Sequence, residues 1–143
     1  MSGLKRPESV LVVVHTPDGQ VLMLERESPR GFWQSVTGSL EWGEVPLFAA
    51  IRELGEEVGT VDAEIRDLKE TRRFPILPAW RARYAPDVAE NVEHWFAAQV
   101  SQPFSPALSE HADARWLPWR DAAALASSWT NREAIETLFG GLM

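Results

Sequence analysis

At 143 residues, with 45% hydrophobic and 24% charged positions, the chain has the make-up of a folded domain able to bury a core, which excludes disordered and fibrous architectures. A formal net charge of -7 excludes the broad basic face by which proteins grip nucleic acid. The absence of cysteine excludes disulfides, thiolate metal sites and cysteine nucleophiles, so any metal must sit on oxygen or nitrogen.

From the N-terminus, the apolar run Val10 to Val14 ends at His15, too short for a signal-peptide core or a membrane span. One domain over residues 1–143 is expected, in the cytoplasm and without membrane contact. Ser9 to Thr16 reads as a buried strand, Pro17-Asp18-Gly19 as a turn and Gln20 to Glu25 as a second strand, together a hairpin. Ser28 to Gly31 is a loop, and Phe32 to Val36 is a short extended segment leading into Gly38. Pro46 to Val58 turns helical, with Pro46 suited to the first turn and Gly59 to a left-handed residue after the last.

Val61 to Thr71 reads as a strand, and Phe74-Pro75-Ile76-Leu77-Pro78 as its interruption. Val92 to Val100 and Ala114 to Leu117 are further strands, followed by helices over Asp121 to Ala126 and Asn131 to Leu138. Strands around a central helix, with helices at the end, predict a mixed sheet covered on both faces.

Acidic residues concentrate between Glu41 and Glu64. At roughly 100° per residue with Glu53 as zero, Glu57 falls near 40° and Glu56 near -60°, so three carboxylates share a face. Leu47, Ile51, Leu54 and Val58 fall at about 100° to 160°, a stripe expected to pack on the sheet while the carboxylates project away from it. Ala49 lies on the carboxylate face, where a small side chain leaves room for approach. Glutamates four apart destabilise a helix unless something offsets their repulsion. Such spacing suits either a solvated, salt-bridged face or a hard divalent cation.

The residues around this helix resemble a known motif. Gly38, five residues, Glu44, seven residues, then Arg52-Glu53-Leu54-Gly55-Glu56-Glu57-Val58-Gly59-Thr60 is similar to the Nudix box G-x5-E-x7-R-E-U-x-E-E-x-G-U, where U is a bulky aliphatic. Thr60 is the one departure, at a packing position. The resemblance implies an α/β (α+β) Nudix fold: an α/β/α sandwich with a mixed sheet and the box as loop-helix-loop. It also implies a hydrolase that directs water onto a phosphoanhydride with Mg2+, for which Mn2+ can substitute. Glu53, Glu56, Glu57 and a later Glu110 are the implied metal ligands. Glu57, with Glu110 as second choice, is the implied proton acceptor, and Arg52 holds a neighbouring carboxylate. Glu44 is expected to be structural, pairing with Arg52.

Further stretches are similar to the branch of that family that releases pyrophosphate from dihydroneopterin triphosphate in folate synthesis. They are Lys5-Arg6-Pro7, Val21-Leu22-Met23-Leu24 with Arg26, Phe32 to Gly38, Arg83-Tyr84-Ala85-Pro86, and Ser128-Trp129-Thr130-Asn131-Arg132. The resemblance implies that Lys5, Arg26, Thr37, Gly38 and Ser128 contact substrate and that Phe74, Pro75, Ile76 and Leu77 flank the heterocycle. Phe74 or Trp33 offers a stacking surface to a flat ring. The expected partner is a small-molecule triphosphate, the chain being a monomer or homodimer. Because the box reports phosphate chemistry and not the base, noncanonical nucleoside triphosphates remain an alternative substrate class. Retention of Glu53, Glu56 and Glu57 argues against a non-catalytic nucleotide sensor, and the net charge argues against RNA ends.

Overall fold

Val10 to Val14 form the centre of β1 (Glu8–His15), and each is at most 1% exposed, because β1 is covered on both faces. The computed structural model describes residues 3–59, 62–108 and 111–140. Within them, β2 (Gln20–Arg26) returns antiparallel to β1, though the two meet only at His15 and Val21 before diverging. Into the opening comes β4 (Val36–Ser39), paired with the first half of β1 so that Gly38 stands opposite Val10. The two-residue β3 (Trp33–Gln34) borders β2.

Beyond β1 lies β6 (Glu90–Gln99), the parallel neighbour, and then β5 (Glu64–Pro75) at the edge. β7 (His111–Pro118) pairs antiparallel with β2. The sheet is therefore mixed, as expected. It carries α1 (Pro46–Val58) on one face, and α2 (Trp119–Leu125) and α3 (Trp129–Gly140) on the other.

The alternation of β1 divides the core between these layers. Val10, Val12 and Val14 join Leu22, Leu24, Phe96 and Leu54 under α1. Leu11 and Val13 join Trp33, Trp95, Ala134 and Ile135 under α2 and α3. Trp33 is thus a core aromatic, 7% exposed, with the Arg115 guanidinium 4.8 Å from its ring, and does not offer the stacking surface that its sequence context suggested.

Three other expectations are corrected. The strand before the prolines does not break at Phe74: β5 runs through Pro75, which an edge strand tolerates because a missing N–H there breaks no ladder. A 3-10 helix, Pro78–Arg83, then follows. Gly59 does end α1, with its N–H donating to the Gly55 carbonyl, but at φ 85° and ψ -175° it is positive-φ extended and not left-handed helical.

The third correction concerns which face α1 buries. Leu47 and Ile51 are 42% and 49% exposed, whereas Ala49, Ala50, Leu54, Glu57 and Val58 are buried. On the same wheel the buried arc runs from about -40° to about 140°, so Glu57, near 40°, sits in its middle. Two adjacent alanines explain the turn: with only methyl groups at Ala49 and Ala50, the helix approaches the sheet along that side. The larger side chains Phe48 and Ile51 are left outward, and Leu47, within the buried arc by angle, is exposed in the first turn of the helix. This orientation predicts that Leu54→Ala costs about 2–4 kcal/mol in chemical unfolding, while Leu47→Ala costs about 1 kcal/mol or less.

Candidate active site

The loop Leu40 to Val45 and the helix behind it are joined through one guanidinium. Arg52 Nε and Nη2 donate to the two oxygens of Glu44 at 2.9 and 2.8 Å, a bidentate fork. Its Nη1 donates to Glu53 at 2.9 Å and to Glu56 at 3.1 Å, and Nη2 also reaches the Ser39 carbonyl at 3.1 Å. The fork depresses the Glu44 carboxyl to about 2, and the surrounding acids hold Arg52 further above its already high value. Arg6 completes the tie, donating to the Glu41 and Glu44 carbonyls at 2.9 and 2.7 Å. Arg52 therefore acts by holding carboxylates, and Glu44 is structural.

A cavity of about 350 Å3 opens where β4, α1, β2 and β7 meet. Gly38 and Thr37 of β4 line one side, Glu53 and Glu57 of α1 another, and Arg26, Gln34 and His111 close it. The side chains of Glu53 and Glu57 are 13% and 3% exposed. Burial raises the Glu53 carboxyl above the usual range, against the opposing pull of a hydrogen bond with Glu57 and of Arg52. Gly38 is indispensable to this arrangement, because a Cβ there would overlap the Glu53 carboxyl group.

Of the expected ligands, Glu53 and Glu57 line the cavity. Glu56 lies outside the cavity, 57% exposed and drawn to Arg52. Among the described residues no three His, Cys, Asp or Glu side chains are gathered to hold an ion by themselves. Glu110 lies outside the described residues. Two buried carboxylates facing one space nonetheless fit a hard divalent cation. Mg2+ is commonly bound through one or two carboxylates, with water and substrate phosphate completing its shell.

Of the residues expected to meet substrate, Arg26, Thr37 and Gly38 line the cavity. Lys5 does not line it but lies within electrostatic reach of Glu53; burial and Arg83 lower its pKa, and Glu53 pulls it back up. Ser128 and Phe74 to Leu77 are not brought into the cavity. The Ser128 hydroxyl instead accepts from the Asn131 N–H at 3.2 Å, capping α3. Ile76 is buried, with its N–H donating to the Ala89 carbonyl at 2.9 Å. The lining residues that the sequence did not reveal are Glu27, Ser28, Gln34 and His111. His111 Nε2 stands 3.7 Å from Glu57 Oε1, and its side chain is 5% exposed. Its position beside Glu110 offered a hint, but the pairing register that aims it is not written in local sequence.

Residues 5–138 match the NUDIX domain family. The chain belongs to that family. As a Nudix hydrolase it shares the family's use of a divalent metal. It is 43% identical to the dihydroneopterin triphosphate diphosphatase of Haemophilus influenzae over 141 residues, covering 95% of this chain and 89% of that one. Against the Escherichia coli enzyme of the same name, identity is 45% over 138 residues, covering 92% and 91%. The structure of the E. coli dihydroneopterin triphosphate pyrophosphohydrolase superposes with a TM-score of 0.87 at 42% identity, covering 96% of this Nudix chain and 98% of that one.

Two outcomes follow from the geometry. Gly38→Ala should retain the fold yet lose divalent-ion affinity by about tenfold or more, read by electron paramagnetic titration with Mn2+. Arg52 favours the ionised form of Glu44 only in the folded state, so that stabilisation is complete above the ordinary 4.5 and is lost as pH falls toward about 2. Glu44→Gln should therefore lower stability at neutral pH and flatten its decline across that acid window, measured by urea unfolding at a series of pH values.

Proposed function

We propose that this Nudix hydrolase converts dihydroneopterin triphosphate to dihydroneopterin monophosphate and pyrophosphate. The observation that carries the reading is 43–45% identity, over nearly the whole chain, to enzymes named for that diphosphatase activity. The buried acid pair beside a glycine cradle supports it as a place where phosphate oxygens and a cation can meet.

Each residue then takes a role set by its position. Gly38 lets backbone approach phosphate, and Thr37 offers a hydroxyl beside it. Arg26 at the cavity and Lys5 near Glu53 meet the anionic chain with positive charge. Glu53 and Glu57 would hold Mg2+, with Mn2+ able to substitute, and Glu56 and Glu110 are proposed as the further ligands. When bound, that ion withdraws charge from phosphate oxygens and acidifies the attacking water. Glu57, buried against the cavity, accepts the proton of that water. Arg52 keeps Glu53 aimed while this happens.

The heterocycle belongs on the other side of Thr37. Through the pairings Thr37 with Leu11, Ser9 with Glu93 and Phe74 with Asn91, one sheet face carries Thr37, Ser9, Asn91, Glu93 and Phe74 in sequence across four strands. Three ladders at about 4.8 Å put Phe74 roughly 14 Å from β4, on the face where Ser128 caps α3. Phe74, Pro75, Ile76, Leu77 and Ser128 are proposed to flank the ring there, outside the phosphate cavity. No helix among the described residues is long and apolar enough to cross a membrane, and a cytoplasmic site of action suits a soluble substrate.

The test is turnover of dihydroneopterin triphosphate against a panel of deoxynucleoside triphosphates, including oxidised purines, in isotopically labelled water. Label in the monophosphate and none in pyrophosphate is expected; a higher kcat/KM on an oxidised purine nucleotide would reject the substrate. Glu57→Gln should lower kcat by about 10²–10⁴-fold with the melting temperature retained.

A further inference from the structure

We propose that His111 is a positioning residue for the hydrolysis, its imidazole setting the orientation of the Glu57 carboxylate inside the cavity. The role of Glu57 is taken from the hydrolase reading above; the His111 contact itself rests on geometry alone.

The contact is built by an irregularity in the sheet. β7 pairs regularly with β2 from Pro118 opposite Gln20 to Asp113 opposite Glu25, but the next pair is His111 opposite Arg26, so Ala112 is an extra residue. Along the regular part, Leu117 and the Trp33-contacting Arg115 face the α2–α3 layer, while Ala114 and Trp116 face α1. Simple alternation would send His111 to the α2–α3 side. The bulge adds one residue and reverses that, placing His111 on the α1 side with Arg26 and in the cavity wall. Bulges next to functional sites commonly re-aim a side chain in this way.

Once re-aimed, the imidazole meets Glu57 with both side chains almost fully enclosed, 5% and 3% exposed. A carboxylate only accepts, so a hydrogen bond between them needs the hydrogen on the facing Nε2. At 3.7 Å the pair stands beyond hydrogen-bond length and within ion-pair range, a separation that a small rotation of either side chain closes once substrate fills the site. Glu57 rides on α1 and His111 on β7, so the contact fixes the plane of the carboxylate from an element other than its own. Partners of this kind typically govern ligand affinity and activity by about 10–100-fold.

The experiment compares His111→Ala, His111→Asn and His111→Gln with the wild type. The glutamine amide nitrogen reaches about as far as Nε2, whereas the asparagine amide stops near Nδ1; the two differ by one methylene. The proposal expects kcat to fall by about 10–100-fold in the alanine and asparagine variants, with KM held within about threefold and most of kcat recovered by glutamine. Mn2+ affinity, read by paramagnetic titration without substrate, should follow the same order. Equal kcat in the asparagine and glutamine variants, a change confined to KM, or wild-type turnover in His111→Ala would overturn it. Melting temperatures accompany each variant, and if His111→Ala does not fold, the asparagine and glutamine pair carries the comparison. Turnover is read on whichever triphosphate the wild type cleaves fastest, so a wrong substrate leaves this inference tested separately.

Discussion

The Arg52 guanidinium grips both oxygens of Glu44, and that fork keeps the loop before α1 and the acidic helix in one fixed relation. A planar five-donor group is suited to the task, since lysine could offer neither the fork nor the further contacts to Glu53, Glu56 and the Ser39 carbonyl. One cation thus neutralises part of a crowded acidic surface and sets the direction of Glu53. Because Ser39 belongs to β4, the same cation also anchors the strand whose Gly38 forms the cradle opposite Glu53. Without that anchoring, the mutual repulsion of three glutamates within five residues would have no geometric consequence beyond destabilising the helix.

The second constraint is the depth at which α1 lies. Ala49 and Ala50 allow close approach to the sheet, and this approach draws Glu57 and Glu53 inward instead of leaving them on an outer face. Burying two acids is unfavourable unless they are paired or bind a cation. Burial pushes the Glu53 carboxyl up, and the Arg52 guanidinium beside it opposes that push. The opposite side of α1 carries the consequence, since Phe48 and Ile51 remain well exposed.

The sheet separates two groups of polar side chains. Its α1 face holds the acids, and its α3 face holds Ser9, Asn91, Glu93 and Phe74, with Thr37 and Gly38 of β4 at the crossing. Glu93 is itself buried, its carboxyl pushed up by that burial while the Trp95 indole donates to it at 3.0 Å. A substrate with a charged chain at one end and a flat polar ring at the other matches such a two-sided layout.

Much of this was legible locally. Hydrophobic runs and alternation marked β1, β2 and β6, proline and glycine marked both ends of α1, and the spacing from Gly38 to Gly59 identified the acidic motif and its chemistry. These features depend on neighbours within a few residues, which a linear reading contains. The face that α1 buries, the retreat of Glu56 to Arg52, the continuation of β5 through Pro75 and the capping role of Ser128 required the tertiary structure. So did His111, which enters the cavity only because one extra residue in β7 shifts its pairing with β2. Side-chain direction in a sheet follows from register between distant strands, and helix rotation follows from the volume available beneath it. Both are properties of packing, and neither is carried by any single stretch of the chain.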